Sequence, residues 1–337
     1  MIRAVVVAAL CIAPYPLWAN SVTEVHYVMG TYFRITAEDP DPTRARAAMR
    51  ECFAAARQDD QRFSRFDPAS ELSQLNAAAA DPQPTVVSAD MVALLRRALD
   101  LQALTGGAFD VSVGVLTQLW RTSAEWPTRS SVDAAQRTDG ARAVTLIGST
   151  LMRRPGVLLD FDGIAKGWTV DRCVARLRAA GVERALVNLG ESSLYAIGAP
   201  GDAGGWAVTL RGLADDTAVG TLTLRDEAVS VSSVFGHARR IGARRVGHIV
   251  DPRSGQALTS PAAAVVVAAS ATDAEALSKA LLITSPGGDR RRRPDWANAP
   301  LVGTLLITPT GVRRTGPIPF HAFKTPRRMA LAAEALQ

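Results

Sequence analysis

The chain has 337 residues and a formal net charge of +6, and its length suits about two domains of ordinary size. Hydrophobic residues make up 47% of the sequence, which provides for a large core and excludes a disordered or collagen-like chain. Among 38 basic residues only three are lysines: Lys166, Lys279 and Lys324. Four of the arginines form a single run at 290–293, and one such cluster without interleaved aromatic residues does not predict a nucleic-acid partner.

The first element is a predicted secretory signal peptide at residues 1–19. Arg3 precedes a short apolar stretch, and Ala19 is a small residue suited to cleavage. The stretch is too short to cross a bilayer, and no later segment offers about 18 consecutive apolar residues. Cys11 follows Leu10, which is not the small residue that a lipid-attachment site requires. We therefore expect an exported, periplasmic protein without a lipid anchor or a membrane span in its mature chain.

The hydrophobic pattern then predicts strands and helices in succession. A strand at 24–38 leads into a helix at 43–59, Ser70 is a candidate N-cap of a short helix, and a third helix covers 88–105. The remaining predicted elements are strands within 185–198, 206–212, 218–226, 228–242 and 262–270, and helices at 168–180 and 272–283. This order favours an α+β fold of antiparallel sheets with packed helices. No linker divides residues 20–337, so we expect one compact unit of one or two lobes.

Common catalytic motifs are missing from the sequence: there is no P-loop, no HExxH zinc site and no nucleophile elbow. The four histidines are scattered without metal-ligand spacing. Cys52 and Cys173 each fall in an apolar pattern of helical spacing, which favours two small buried side chains without a bond. A disulfide between them is the alternative, because exported proteins pass through oxidising compartments.

Three segments place polar residues in apolar surroundings. At 158–172, Lys166 opens a helix after a turn, and backbone amides beside an ammonium suit a phosphate. A purely structural turn capped by an aspartate is an equal alternative there. His248 lies in a predicted strand, where a histidine is more often a core residue than a catalyst. Glu275 and Lys279 are four residues apart on a helix, which by itself predicts an ordinary ion pair.

Taken in order, six segments resemble the ApbE family, the FAD:protein FMN transferases. They are VMGT at 28–31, FSRFDPASELSQLN at 63–76, TGGAFDVSVGVLTQLW at 105–120, LDFDGIAKGWTVDR at 159–172, ALVNLGESSLYAIG at 185–198 and GHIVDPRSG at 247–255. The resemblance implies a T-fold-like α+β domain that binds FAD and cleaves its pyrophosphate. It also implies transfer of FMN to a Ser or Thr of an exported or membrane-anchored redox protein, with release of AMP.

The resemblance also implies particular site residues. His248 and Lys166 are the expected catalytic residues, the first positioning or deprotonating the acceptor hydroxyl and the second neutralising the pyrophosphate. The expected flavin contacts are Met29, Phe66, Ala108, Phe109, Asp110, Asp160, Lys166, His248 and Ile249. In the family, magnesium is held by an Asp, a Thr and a backbone carbonyl, and the aligned residues here are Glu275, Lys279 and Ala165.

Lys279 disturbs this metal site, because a protonated lysine has no lone pair to offer a metal. Three alternatives remain open. The Lys279 ammonium takes the place of magnesium beside Glu275; or Lys279 turns away and magnesium binds through Glu275, Ala165 and Asp273. In the third, the chain is a flavin-binding or partner-binding relative without transferase activity. We expect an active FAD:protein FMN transferase, with a catalytically impaired FAD-binding paralogue as the alternative.

Overall fold

The structure is a computed structural model that describes residues 10–12, 21–138, 140, 143–213, 217–285, 296 and 302–328. The arginine run at 290–293 and the predicted cleavage position lie outside these ranges. The helices are α1 Pro42–Phe63, α2 Glu71–Ala77, α3 Ala89–Leu104, α4 Gly114–Thr122, α5 Arg129–Gln136, α6 Ala165–Ala179 and α7 Ala271–Thr284. The first strands are β1 Leu10–Ile12, β2 Ser21–Val28, β3 Thr31–Glu38, β4 Thr85–Val86, β5 Val144–Ile147, β6 Thr150–Arg153, β7 Ala185–Leu189, β8 Ser193–Ile197, β9 Trp206–Arg211 and β10 Thr217–Leu224. The later strands are β11 Glu227–Ser233, β12 Arg239–Ile241, β13 Arg244–Val246, β14 Val250–Asp251, β15 Gln256–Ala257, β16 Ala263–Ala268, β17 Gly303–Thr308, β18 Gly311–Thr315 and β19 Phe320–Arg328.

Eight strands form one antiparallel sheet in the order β18-β17-β16-β11-β8-β7-β3-β2. Successive residues of a strand point to opposite faces, so Val266 of β16 enters the core beneath the helices while Val265 enters a second core. This second core is closed by a four-stranded antiparallel sheet in the order β1-β9-β10-β19. Both faces of the large sheet are therefore covered, and the α+β prediction is confirmed.

Helices α1, α6 and α7 pack side by side on one face of the large sheet, with α6 between the other two. Helix α7 lies directly against β11 and β16. A smaller third core surrounds Trp120, where α4 and α5 meet the hairpins β12-β13 and β14-β15. None of the described helices is long and apolar enough to cross a membrane. The helices that carry the polar segments of the sequence are thus brought together on one side.

Several local predictions need correction. The strand predicted at 24–38 is a hairpin of β2 and β3, because Met29 and Gly30 adopt positive φ angles of 52° and 72° and reverse the chain. His248 was predicted in a strand but lies in a bend between β13 and β14. Helices α4 and α5 and the sheet β4-β6-β5 were not predicted. Ser70 caps α2 as predicted, accepting a hydrogen bond from the Ser73 amide.

A disulfide joins Cys52 of α1 to Cys173 of α6. Both residues are 1% exposed, so the prediction that they are buried is confirmed. The favoured prediction that they are unbonded is wrong, because α1 and α6 pack closely enough to place their Cα atoms 4.8 Å apart. The bond closes a loop between residues separated by 121 positions and ties α6 to α1.

Candidate functional site

Two ammonium groups meet at one buried carboxylate where α6 lies against α7. Lys166 Nζ and Lys279 Nζ each lie 3.3 Å from Glu275 Oε1. Glu275 Oε2 accepts a hydrogen bond of 2.6 Å from the Gly167 amide. The Glu275 side chain is 1% exposed, whereas the side chains of Lys166 and Lys279 are 28% and 17% exposed. The two lysines are therefore the accessible part of this triad of Lys166, Glu275 and Lys279.

The close approach of α6 and α7 positions the triad. A Cβ atom on Gly167 would collide with the backbone carbonyl of Ala271, so only glycine permits this spacing. The same spacing brings the Gly167 amide to the Glu275 carboxylate. Glu275 and Lys279 are one helical turn apart on α7, and the predicted ion pair between them is confirmed. The tertiary fold adds Lys166 to that pair.

The charges of the triad alter the proton affinities of Glu275 and Lys279. Burial alone would raise the pKa of Glu275, but Lys279, Lys166 and the Gly167 amide outweigh it and hold that pKa below its ordinary value. Burial lowers the pKa of Lys279 to about 8, with Glu275 opposing this shift and Lys166 adding to it. At neutral pH the triad therefore has one negative and two positive charges.

The aliphatic stem of Lys279 is held in place by the turn before α6. A Cβ atom on Gly163 would lie 3.4 Å from Lys279 Cδ and 3.2 Å from Phe109 Cε2. The stem and the aromatic ring thus pack around the open side of Gly163. The Lys279 Nζ also donates a hydrogen bond of 3.1 Å to the Glu275 carbonyl oxygen. In this geometry Lys279 lies against Glu275, as in the first of the three alternatives, and is not turned away.

Two histidines lie beside the triad. The rings of His237 and His248 meet edge to face, with centroids 5.3 Å apart, and both residues are exposed. Desolvation by the surrounding protein, then the charges of His237, Lys279 and Lys166, lower the pKa of His248. His248 is therefore an accessible neutral imidazole rather than a core histidine, and its neighbours include both ammonium groups.

The turn before α6 also carries two aspartates. Asp160 is 8% exposed and accepts hydrogen bonds from Thr117 Oγ1 at 2.8 Å and from the Asp162 amide at 2.9 Å. Burial and the nearby charge of Asp162 raise the pKa of Asp160 to about 6. Asp162 accepts a hydrogen bond of 2.7 Å from Arg65 Nε, and the Arg65 guanidinium stacks 3.9 Å from the centre of the Phe66 ring. Phe66, which is 75% exposed, is thereby linked to the turn that leads to Lys166.

Met29 approaches the site from the β2-β3 hairpin. Its amide donates a hydrogen bond of 2.9 Å to Asp60 Oδ2, which fixes the left-handed turn. Thr169 Oγ1 lies 3.5 Å from the Met29 sulfur. Because Thr169 follows Lys166 by almost one turn of α6, the thioether lies near the helix end that carries the triad.

Five of the predicted flavin contacts have little exposed surface. Ala108, Phe109, Asp110, Asp160 and Ile249 are 1%, 5%, 5%, 8% and 6% exposed. Asp110 Oδ1 accepts hydrogen bonds from the amide and hydroxyl of Ser112, at 2.8 Å and 2.7 Å. Ile249 follows His248 and places its side chain in the core. These residues support the shape of the site, and their direct contact with flavin stays a prediction.

The magnesium site suggested by the resemblance does not fit this arrangement. Asp273 Oδ1 and Oδ2 accept hydrogen bonds of 2.7 Å and 2.6 Å from Arg97, so both oxygens already have a partner, and the part of Asp273 in metal binding stays a prediction. Ala165 begins α6, and helical carbonyls of the first turn accept hydrogen bonds from amides further along the helix. Within the described ranges, no group of three His, Cys, Asp or Glu side chains is arranged to hold a metal ion.

The structure adds residues that the sequence analysis did not single out as part of the site: His237, Arg65 and Asp162. Arg65 lies in the segment 63–76 and Asp162 in the segment 159–172. Both are charged neighbours of predicted site residues, and that position in the sequence could have identified them. His237 lies in the loop between β11 and β12, and nothing in its local sequence marks it. Only the fold brings it to His248.

Comparison with known proteins identifies relatives of this chain. A FAD:protein FMN transferase of Klebsiella pneumoniae (strain 342) is 27% identical over 271 residues, which cover 77% of each chain. One of Rhodobacter capsulatus is 30% identical over 273 residues, covering 79% of this chain and 52% of the relative. The solved structure of the flavin transferase ApbE from Vibrio cholerae has a TM-score of 0.75 at 26% identity, covering 88% of this chain and 97% of that one. An ApbE protein from Thermotoga maritima shares the fold, with a TM-score of 0.78 at 24% identity, covering 87% of this chain and 96% of that one.

Both curated relatives and the Vibrio cholerae protein are flavin transferases, and the two solved structures share the fold of this chain. The sequence profile of the ApbE family matches residues 29–291, which includes every residue of the triad and both histidines. The chain belongs to the ApbE family.

Proposed function

We propose that this protein is an FAD:protein FMN transferase that modifies a Ser or Thr hydroxyl of an exported redox protein. The observation that carries the proposal is the meeting of two accessible ammonium groups with an accessible neutral imidazole, that of His248. An anionic pyrophosphate and a hydroxyl nucleophile need these two kinds of group. Family membership supplies the identity of the substrate.

The reaction exchanges a phosphoanhydride bond for a phosphoester bond. The acceptor hydroxyl oxygen bonds to the phosphorus of the FMN half, and the bond from that phosphorus to the bridging oxygen breaks. AMP leaves with the bridging oxygen and its electron pair, and the hydroxyl proton passes to a base. No electron transfer takes place, so the flavin keeps its oxidation state.

His248 is the residue we assign to the hydroxyl proton. Its lowered pKa means that the imidazole is neutral and has a nitrogen lone pair free to accept a proton. A bound pyrophosphate would offset the positive charges of Lys166 and Lys279 that disfavour protonation. His248 would then become a stronger base when FAD is bound than when the site is empty of substrate.

The flavin ring needs apolar surface outside the charged cluster. Phe66 provides an exposed aromatic face near the turn before α6. Met29 provides a polarizable thioether near the first turn of α6. Arg65 holds Phe66 through stacking and Asp162 through an ion pair. We therefore assign ring contacts to Phe66 and Met29 and pyrophosphate contacts to the two lysines.

Export completes the proposal. The signal peptide predicted at 1–19 would deliver the enzyme to the periplasm, where an exported or membrane-anchored acceptor would also fold. Strand β1, at Leu10–Ile12, pairs with β9 in the structure and would be removed with this leader. Mass spectrometry of the protein from its native cells, read for an amino terminus near residue 20, tests this part.

The transferase activity is tested with purified protein, FAD and membrane proteins of the producing cell. AMP is measured by chromatography, and covalent flavin on protein bands by fluorescence under ultraviolet light. We expect both signals, and we expect His248→Ala to lose them about 100-fold or more. His321→Ala is the matched control, because His321 is an exposed histidine of β19. Absence of AMP and of labelled bands from the wild-type reaction would contradict the proposal and favour an FAD-binding paralogue.

A further inference from the structure

Both carboxylate oxygens of Glu275, which would have to bind a metal ion, already have partners within the protein. Glu275 Oε1 faces two ammonium nitrogens at 3.3 Å, and Oε2 accepts the Gly167 amide at 2.6 Å. The Glu275 carbonyl oxygen accepts a hydrogen bond from Lys279. Magnesium requires about six oxygen ligands in near-octahedral geometry, and it would have to displace several of these partners.

The charges around Glu275 also oppose a divalent ion. Lys166 and Lys279 have no carboxylate ion-pair partner other than Glu275 in the part of the chain that the structure describes. The three groups together have a net charge of +1. A divalent cation placed among them would meet two ammonium groups and only one carboxylate, whereas a pyrophosphate dianion would be attracted by the surplus positive charge.

The position of Lys279 is fixed rather than free. Its stem packs around Gly163 beside Phe109, and its ammonium has two oxygen partners on Glu275. An ammonium has three donors, so one remains for a ligand after these two are used. The side chain is 17% exposed, so Lys279 is not sealed off from a ligand.

We propose, on the basis of the proposed function, that Lys279 is a built-in cation that binds the pyrophosphate of FAD in place of a divalent metal ion. Glu275 holds this ammonium in position, and Lys166 adds the second positive charge. FAD binding by this protein therefore requires Lys279 and does not require magnesium.

The test measures FAD binding by the full-length protein through quenching of flavin fluorescence. The wild type is titrated with FAD in excess EDTA and in millimolar magnesium chloride. Lys279→Met keeps the stem that packs on Gly163 and removes the charge. Lys324→Met is the matched control, because Lys324 is exposed on β19 and away from the triad. Riboflavin, which has the same ring system and no phosphate, is titrated against each variant.

We expect the wild-type dissociation constant for FAD to be the same with EDTA and with magnesium. Lys279→Met should weaken FAD binding about tenfold or more, because a charge-assisted contact is lost, while riboflavin binding stays unchanged. Lys324→Met should bind both ligands like the wild type. Equal loss of riboflavin binding in Lys279→Met would mean a damaged fold and would overturn the assignment of Lys279 to the pyrophosphate.

Three results decide against the proposal. Tighter FAD binding by the wild type in magnesium than in EDTA would show a metal site, and so would overturn it. Unchanged FAD binding by Lys279→Met would also overturn it. Absence of FAD binding in both conditions would overturn it together with the proposed function. By contrast, metal-independent FAD binding through Lys279 without AMP release would support this inference while the transferase proposal fails.

Discussion

Two carboxylates are buried against α6, and each has two cations as partners. Glu275 meets Lys166 and Lys279 at the first turn of the helix. Asp59 of α1 lies further along, 2.8 Å from Arg172 Nη1 and 3.7 Å from Arg62 Nη1. Both carboxylates are almost completely inaccessible, at 1% and 0% exposure. The two clusters are therefore alike in burial and in the number of cations that touch the central carboxylate.

The clusters differ in their outer partners. Arg62 and Arg172 also bind Asp90, at 2.7 Å and 2.8 Å, and Arg62 lies 3.6 Å from Glu71. The Asp59 cluster thus has three negative and two positive charges and joins α1, α3 and α6 as a brace. The Glu275 triad has the opposite excess: within the described residues its two ammonium groups share Glu275 as their ion-paired carboxylate, and Asp162, whose charge also acts on Lys279, is itself ion-paired with Arg65. Surplus charge, rather than burial of an ionisable group, therefore distinguishes the proposed binding site from the brace.

The largest loss of unfolding free energy is expected from removing the negative charge of Glu275 at the centre of the triad. Glu275→Gln leaves two ammonium groups against a neutral amide, and breaking a buried ion pair in this way costs about 3–5 kcal/mol of unfolding free energy. Chemical denaturation measures the loss. Asp90→Asn is the control, because its carboxylate is 33% exposed and Arg172 retains Asp59. Equal losses in the two variants would mean that the triad and the brace do not differ as described.

Removal of the disulfide should give the next largest loss of unfolding free energy. The bond lies beside the Asp59 cluster, because Cys173 follows Arg172 on α6. Replacing Cys52 and Cys173 together with alanine should lower the unfolding free energy by about 2–5 kcal/mol. FAD affinity should not change, because Cys173 follows Lys166 by about 10 Å along the helix axis. Denaturation with and without a thiol reductant checks the first expectation. If reductant leaves the wild-type stability unaltered, the bond does not form in solution.

The pH dependence of the brace should have the opposite sign to that of a stabilising ion pair. Burial, partly offset by Arg172 and Thr169, raises the pKa of Asp59 from 3.8 to about 6. Between these values the folded state binds more protons than the unfolded state, so the contribution of Asp59 to stability falls as pH rises through this interval. The penalty is fully present above about pH 6 and absent below about pH 4.

Asp59→Asn removes this titration. Relative to that variant, we expect the wild type to gain about 2–3 kcal/mol of unfolding free energy when the pH falls from neutral to about 4. Urea denaturation of both proteins at the two pH values measures the difference. A difference that is constant with pH would show that Asp59 is ionised throughout and that the arginines compensate it fully.

The smallest expected change concerns the ionisation of His248, which should not titrate near neutral pH. His248 has a lowered pKa, so its imidazole resonance should not shift between about pH 5 and 8. Carbon-13 labelling of histidine and nuclear magnetic resonance follow this resonance, and His248→Asn assigns it. A midpoint near the ordinary histidine value would mean that desolvation and the charges of His237, Lys279 and Lys166 do not lower the pKa of His248 in the protein without substrate.

The sequence predicts the long helices well because their apolar spacing and caps are local features. Helix α3, Ala89–Leu104, fits the predicted 88–105, and α7, Ala271–Thr284, fits the predicted 272–283. The local sequence pattern gives a wrong prediction where the backbone conformation of a single residue changes the direction of the chain. The positive φ of Met29 divides a predicted strand into a hairpin, and the bend at His248 moves that residue from a predicted strand to an exposed position.

For the site, the helical spacing of Glu275 and Lys279 predicts their ion pair, and resemblance adds Lys166. The spacing rule also argues against Asp273, which is two residues from Glu275 and so points to a different side of α7. Sequence alone does not predict that Lys166 shares the same carboxylate or that Arg97 binds Asp273. These contacts depend on how helices distant in the sequence pack, and only the fold determines that packing.

The three lysines occupy separate environments, since Lys166 and Lys279 share a buried carboxylate and Lys324 lies exposed on β19. The chain has no other lysine. Reductive methylation with carbon-13 formaldehyde keeps the positive charge of each amine. It would place labels only on these side chains and on the amino terminus. The protein would then report FAD binding and the ionisation of both site lysines in a spectrum of a few resolved signals, without any substitution.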